Sequence, residues 1–476
     1  GASSGMAMAH WEIQGWMILI LGWVFVPFYT RSMVYTMPEF LERRYNPQSR
    51  TILSVISLVS YVLTKVAVTV YAGGLVFQQV FGIKELWGID FFWIAAIGLV
   101  VLTALYTIFG GMKSVLYTSV LQTPILLLGS LIILVLGFKE LGGWDEMMRV
   151  CGAVTVNDYG DTMTNLIRSN DDANFPWLGA LIGSAIIGFW YWCTDQFIVQ
   201  RVLSGKNEME ARRGTIFGAY LKLLPVFLFL IPGMIAFALH QKYIGAGGEG
   251  FLPMLANGTA NADAAFPTLV AKLLPAGVKG LVVCGILAAL MSSLASLFNS
   301  SAMLFTIDFY KRFRPETPEK KLVGIGQVAT VVIVILGILW IPIMRSVGDV
   351  LYTYLQDVQS VLAPGIAAAF LLGICWKRTS AQGGMWGLIA GMVIGLTRLG
   401  AKVYYSNAGE VADSTFKYLF YDMNWLFFCG WMFLFCIIVV IVVSLATKAP
   451  TAEKIQGLVF GTATKEQKAA TRASWN

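Results

Sequence analysis

The sequence predicts an all-α polytopic membrane protein, and three observations predict it. Mean hydropathy is +0.70 and only 13% of the 476 residues are charged, where a soluble domain carries about 25%. Eleven stretches reach the ~20 predominantly apolar residues needed to cross a hydrocarbon core: 5–29, 51–81, 90–109, 114–138, 176–200, 214–240, 276–309, 323–345, 350–376, 383–403 and 424–447. The loops between them alternate in charge. Loops 30–50, 110–113, 201–213, 310–322, 377–382 and the tail from 448 hold 21 Lys and Arg; those on the other side hold fewer than half as many, although the longest loop, 139–175, is among them. Cytoplasmic loops are enriched in Lys and Arg, so the first set is expected inside, Gly1 outside, and the tail 448–476 cytoplasmic.

Taken in order, the first span carries Glu12 in AHWEIQGW, about two turns from its outer end. The second carries Lys65 in SYVLTKVAVTVYAGG, near mid-span, and the third and fourth are separated by Gly-Gly-Met-Lys at 110–113. The fifth holds the least lipid-like stretch, GFWYWCTDQFIVQR at 188–201, with Cys193, Thr194, Asp195 and Gln196 behind three aromatics. An unpaired polar group in hydrocarbon costs several kcal/mol, so this knot is built to touch something. The sixth span carries Lys222 in GAYLKLLPVF, within snorkelling reach of the inner surface. The seventh runs ILAALMSSLASLFNSSAMLFTIDFY, where helical spacing puts Ser292, Ser296, Asn299 and Ser300 on one stripe with Ser293 beside it. That stripe reads equally as a seam of small residues between helices or as hard neutral oxygens for a cation. The last four spans complete the set, with Gln356 in the ninth. Pro124, Pro225, Pro232, Pro342 and Pro364 fall within or beside spans; a broken helix in a membrane is tolerated where its freed carbonyls line a cavity or are repaired by neighbours.

Several classes are excluded. The net charge of +7 is a topology signal, with no clustered basic face for nucleic acid. Six scattered cysteines form no CxxC and two histidines build no metal cluster. There is no phosphate-binding Gly-rich loop and no nucleophile elbow, so the chain does not read as an enzyme. It opens on GASSGMAMAH with no initiator Met or signal peptide and stops within a polar tail, which suggests a fragment trimmed at both ends. Ionisable groups inside spans are functional candidates because each costs roughly 2.5–3.5 kcal/mol at mid-bilayer. Glu12, Lys65, Lys222 and Asp195, with Gln196 and Gln356, supply the carboxylates, amides and ammonium donors that a solute rich in hydroxyls requires, and aromatics suit the C–H face of a sugar ring.

The motifs YTMPEFLERRY, YVLTKV, YTIFGGMKSVLYT, FWYWCTDQFIVQR, YLKLLP, LMSSLASLFNSSAMLFTIDFY and AAAFLLGICWKR followed by GGMWGLIAGMVIG resemble those of the sodium/solute symporters, within them the bacterial-type sodium/glucose (galactose) cotransporter branch. The resemblance covers nearly the whole chain. It implies an inverted five-helix repeat (LeuT-type) fold with about eleven transmembrane helices present and the first core helix missing. Residues 1–138 would be a partial first repeat, 176–376 the second and 383–447 additional helices. It implies a multi-pass protein of the cell membrane that couples inward Na⁺ to a small-molecule sugar, or to inositol or another polyol, or that senses sugar without moving it. Carried over residue by residue, the Na⁺ site falls on Ala289, Ser292 and Ser293. The sugar site falls on Glu12, Trp11, Tyr61, Lys65, Tyr191, Trp192, Lys222, Ser296 and Gln356, and Asp195 and Gln196 take structural or gating roles. Residues 188–193 would be the broken helix that opens the second repeat. Two departures stand out: Ser119 replaces an aspartate of the family, and Ala295 replaces a hydroxyl-bearing residue, which together imply one Na⁺ per sugar.

Overall fold

The structure is a computed structural model. It describes residues 1–476 except 13, 33, 35, 256, 348–350, 408–411 and 474–476, and the side chains of 31, 106, 108–115, 118, 344–347, 352, 353 and 470. The start of the predicted span at 350 and the last residues of the predicted tail therefore lie outside the described residues.

Fourteen helices carry the architecture: α1 (Gly5–Thr30), α2 (Met37–Arg44), α3 (Pro47–Phe81), α4 (Phe91–Leu141), α5 (Trp144–Gly152), α6 (Trp177–Thr194), α7 (Gln196–Leu203), α8 (Glu208–Gly245), α9 (Ala265–Leu273), α10 (Ala276–Phe313), α11 (Glu319–Val347), α12 (Leu351–Cys375), α13 (Ala381–Asn407) and α14 (Trp425–Ala446). A two-residue hairpin, Glu85–Leu86 with Ile89–Asp90, precedes α4. Side chains placed before the apolar runs start several helices: Asn46 accepts from Ser49 N, Asp90 from Phe92 N and Asn207 from Glu210 N. Among the described residues ten helices are long and apolar enough to cross a membrane, with Phe91–Leu105 a shorter apolar stretch.

The turn expected at 110–113 is not a coil: α4 is helical throughout its 51 residues. Gly-Gly-Met-Lys lacks a proline, and a glycine inside a helix costs only about 1 kcal/mol, so the sequence does not compel an interruption. Yet α4 is not a straight rod, which would be about 76 Å long. At its start Gln78 Nε2 donates to Asp90 Oδ1 (3.0 Å), and Gln79 lines a cavity with Phe251 and Lys272. At its end Lys242 Nζ donates to Leu141 O (3.0 Å), and Tyr243 beside it packs on Phe251, ring centroids 5.9 Å apart. Both ends thus lie around Phe251, closer together than a straight rod allows, so α4 bends between its two apolar stretches. The expected span 114–138 is found as Ser119–Leu141, whereas the expected 90–109 appears only as the shorter apolar stretch Phe91–Leu105.

Helices α3, α4, α10 and α11 form one packed group, and α12, α13 and α14 another against α6. Glycine permits the closest approach: a Cβ on Gly391 would stand 2.6 Å from Gly365 Cα, so α12 and α13 touch backbone to backbone. Likewise a Cβ on Gly15 would stand 2.8 Å from Ala219 O, which lets α1 lie directly on α8.

Two ends of the molecule differ in chemistry. At the Gly1 end, the loop before α6 packs onto the start of the chain: Met6 N donates to Met163 O (2.9 Å), His10 Nε2 to Leu166 O (2.7 Å), and Arg168 to Ser4 O. At the other end the Lys/Arg-rich loops and the tail meet. Arg312 donates to Pro47 O (2.7 Å), Arg378 to Thr447 O (2.7 Å) and Lys454 to Glu42 O (3.3 Å). Phe460 N donates to Ile374 O (2.9 Å), while its ring meets Phe28 edge-on, centroids 5.0 Å apart. The segments grouped by charge in the sequence are therefore grouped in space.

Candidate solute and ion site

The polar knot at 188–201 is a repaired helix break. Beyond Gly188 the helix widens to a π-helical turn over Phe189–Thr194, a form concentrated at functional sites. At Asp195 the backbone turns extended (φ −77°, ψ 128°), and α7 begins with Gln196. The break thus falls at Asp195, two residues beyond the expected 188–193. Freed groups find partners: Tyr29 Oη donates to Cys193 O (2.6 Å), Gln14 Nε2 to Ser184 O (3.0 Å), and Asp195 Oδ1 accepts from Phe197 N (3.1 Å) as the cap of α7. Gln196 Oε1 accepts from Met37 N (2.8 Å), satisfying the first turn of α2.

Asp195 also faces α3, which itself widens to a π-helical turn over Tyr61–Val66. Tyr61 Oη donates to Asp195 Oδ1 (2.9 Å), and Lys65 Nζ pairs with Oδ2. The pair is sealed, with side chains 7% and 2% exposed. The Lys65 ammonium lies 4.4–5.9 Å from the ring centroids of Phe197, Tyr191, Tyr61 and Trp190, an aromatic cage that favours a desolvated cation. Tyr61 and Lys65 are therefore committed to Asp195 in this arrangement.

A second pair joins α1 to α8. Lys222 Nζ donates to Glu12 Oε2, and both side chains stay open, 19% and 18% exposed. Trp11 beside it is buried against Trp425, ring centroids 5.5 Å apart, which in turn meets Phe175. Half-buried Tyr191 and Trp192 stand ring edge to face, 5.0 Å apart. On α12 the amide oxygen of Gln356 is buried without a hydrogen-bond partner among the described residues.

The serine stripe lies on α10. Ser292 Oγ is 2.6 Å from Ser119 Oγ on α4, while Ser293 and Ala289 are half-buried. Ser296 is fully buried: its hydroxyl donates to Ser292 O (3.0 Å) and accepts from Arg201. Gln200 Nε2 donates to Ser296 O (3.2 Å) and to Ser300 Oγ. So the expected sugar residues fall into separate groups: Glu12 with Lys222, Tyr61 and Lys65 with Asp195, and Ser296 of α10 with Arg201 of α7.

Sequence reasoning overlooked three further ionic clusters. Asp308 accepts from Thr36 Oγ1 (2.9 Å) and Arg50 Nε (2.7 Å), and Arg50 Nη1 reaches Glu42 (2.6 Å). Asp357 pairs with Lys402 and lies 3.9 Å from fully buried Arg398, whose guanidinium sits 4.1 Å over the Phe428 ring. Arg44 holds the Gly373 carbonyl in the last turn of α12 (2.7 Å) and, in the turn that follows, those of Thr379 (3.2 Å) and Trp376 (3.3 Å). Asp308, Asp357, Arg398 and Lys402 all lie inside the spans read from sequence, so the rule that flagged Glu12 would have flagged them.

A paired break in α6, a serine stripe on α10 and a half-open ion pair between α1 and α8 are features of an ion-coupled carrier, and the family comparison decides which. The model of the sodium:solute symporter family matches residues 1–391. The chain belongs to that family. The symporter is 35% identical over 475 residues to sodium/myo-inositol cotransporter 2 of Homo sapiens, covering 97% of this chain and 69% of that protein. It is 37% identical to sodium/glucose cotransporter 1 of Ovis aries, over 94% of this chain and 69% of that one. It is also 37% identical to a sodium/mannose cotransporter of Bos taurus, over 94% and 76%. In fold it resembles a Na⁺-coupled sialic acid symporter solved in a substrate-bound outward-open state, with a TM-score of 0.69 over 94% of this chain and 86% of that one, at 20% identity. The symporter is thus a multi-pass membrane protein of LeuT-type fold, a carrier and not an enzyme, with Na⁺ as the coupling ion.

Proposed function

We propose that the symporter moves a neutral monosaccharide of the glucose or galactose kind inward, one Na⁺ with each sugar, with the basic end of the molecule cytoplasmic. The observation that carries the sugar reading is the half-open Glu12–Lys222 pair. An ion pair presents no net charge, so it does not select an organic anion. It still offers carboxylate lone pairs and ammonium protons to hydroxyls, and hydrogen bonds to charged groups are the stronger kind, about 1.5–3 kcal/mol net. The orphan amide oxygen of Gln356 is a further acceptor awaiting a hydroxyl, and Tyr191 with Trp192 supplies the apolar wall. The glucose, mannose and myo-inositol named for the relatives are all neutral polyhydroxyl solutes.

Na⁺ takes hard oxygens from Ser292, Ser293 and the Ala289 carbonyl. Ser119, a hydroxyl beside Ser292, brings no second negative charge to that place, which supports a single ion. Na⁺ between the repeats stabilises the solute-binding state, and rocking of one bundle against the other then exchanges access. Each charge contributes about 2.3 kcal/mol per 100 mV of membrane potential. The coupling is reciprocal, so each ligand raises affinity for the other by the same factor.

The test is uptake of labelled glucose, galactose and myo-inositol into proteoliposomes, with and without an inward Na⁺ gradient. Gradient-dependent glucose or galactose uptake, lost in Ser293→Ala, is expected. Uptake of inositol alone overturns the monosaccharide, and two Na⁺ per solute overturns the stoichiometry.

A further inference from the structure

Helices α3 and α11 do not close completely against one another on their outer faces. Between them runs a crevice of about 710 Å³, lined by Leu58, Val62, Phe305, Val328, Val332 and their apolar neighbours, with Lys321 as its one charged lining residue. Along α11 the lining positions Lys321, Ile325, Val328, Val332 and Leu336 recur at helical spacing, and Val328, Val332 and Leu336 are 66%, 50% and 47% exposed. From Lys321 to Leu336 the face is about 22 Å long at 1.5 Å per residue. That exceeds one leaflet's half of the ~30 Å hydrocarbon core by enough for a tilted path.

Both walls belong to membrane-crossing helices, so hydrocarbon chains, not water, meet this crevice. Its charged mouth lies at the basic end, in the loop KRFRPETPEKK, where Lys311, Arg312, Arg314, Lys320 and Lys321 outnumber Glu316 and Glu319. Arg312 is spent on Pro47 O and Thr51; among the described residues the Lys321 ammonium has no recorded partner. Basic pockets between transmembrane helices on the cytoplasmic side suit anionic headgroups.

We propose that this crevice is a binding site for one anionic phospholipid of the leaflet at the basic end, an acyl chain lying along Val328–Leu336 and the headgroup phosphate against Lys321. The occupant bears on the solute site. Leu58, Val59, Val62 and Leu63 form the crevice wall on α3, while Tyr61 and Lys65 of the same widened turn reach inward to Asp195. A chain in the crevice therefore braces that turn from behind.

Two substitutions separate the parts of the site. Gly324→Leu puts a branched side chain into the crevice wall, and a Cβ there meets nothing within 4 Å, so folding is not challenged. Lys321→Gln removes the charge at the mouth. The first measurement is lipid retention by native mass spectrometry after detergent exchange in the presence of phosphatidylglycerol or phosphatidylcholine, which does not depend on what the protein transports. One phosphatidylglycerol should be retained by the wild type, about five-fold less by Lys321→Gln, the factor one basic residue near an anionic surface contributes, and none by Gly324→Leu. Na⁺-driven uptake should then rise when phosphatidylglycerol is added to phosphatidylcholine vesicles, and rise less in both variants. Equal retention of the two lipids, or retention unchanged by both substitutions, overturns the site. Unequal retention with uptake indifferent to lipid leaves the site standing and overturns only the bracing of α3.

Discussion

Two carboxylate–ammonium pairs cross this symporter, and they are built in opposite ways. Lys65–Asp195 is closed off: a tyrosine hydroxyl and a backbone amide fill the remaining valences of the carboxylate, and four rings surround the ammonium. Glu12–Lys222 is left open on both partners, with nearly a fifth of each side chain exposed. The first has its carboxylate satisfied and its ammonium enclosed within the protein, so it acts as a fastening between α3 and the broken α6–α7 junction. The second keeps donors and acceptors in hand, as the proposed solute site requires. Identical charges fasten helices or stay open to a ligand according to how many of their valences the fold has already used.

The largest expected effect comes from opening the closed pair. Asp195→Asn leaves Lys65 charged and buried without a counterion, which typically costs about 3–5 kcal/mol; thermal unfolding in detergent should show a marked drop in midpoint. A midpoint within error of wild type would mean that the cage of rings alone carries the ammonium. Next, Glu12→Gln and Lys222→Met should lower Na⁺-driven uptake about 10- to 100-fold, as loss of one charged hydrogen bond to a hydroxyl implies. Their stability should change by under about 1 kcal/mol because the pair is partly open to water. If these variants unfold as readily as Asp195→Asn, the two pairs are the same device and the distinction fails.

A third carboxylate lacks any ion-pair partner among the described residues and so calibrates the other two. Asp263, before α9, accepts only from Leu351 N (3.0 Å), and burial raises it from 3.8 to about 6. The folded protein then holds this proton more tightly than the unfolded chain. Its contribution to stability is fully present below 3.8 and lost as pH rises through about 6. Asp263→Asn, which can still accept from Leu351 N, should flatten that decline and raise stability at neutral pH by up to about 2 kcal/mol; unfolding midpoints between pH 4 and 8 read this directly. At the far end of the series, Asp413 in the Lys417–Asp413 pair is 96% exposed, and Asp413→Asn should leave both uptake and unfolding unchanged. Together these variants order four carboxylates by burial and by partner.

Much of this was legible in the sequence, for stated reasons. Apolar runs of sufficient length give the spans directly, and the alternation of Lys and Arg gave the two ends, which the structure assembles at opposite poles. The knot at 188–201 announced a break because hydrocarbon tolerates no idle polar group. What could not be read was partnership at long range. Lys65 meets Asp195 across 130 positions and Lys222 meets Glu12 across 210, and nothing local in either sequence pairs them. Ser296 shares a helical stripe with Ser292, but that its hydroxyl also accepts from Arg201 could not be read locally. The continuous helix of α4 escaped because two glycines permit either a turn or a helix, and nothing local chooses between them.

Phe460 gives the basic end an instrument of its own. Its amide hangs on the last turn of α12 while its ring rests on Phe28 of α1, so the residue is a rivet between two helices that the membrane itself does not join. Whatever parts those helices must first shear that rivet, and the rivet lies outside the proposed solute and ion sites. An environment-sensitive fluorophore in place of the ring would make position 460 a strain gauge, reporting each opening of this end as a change in colour while the carrier goes on working.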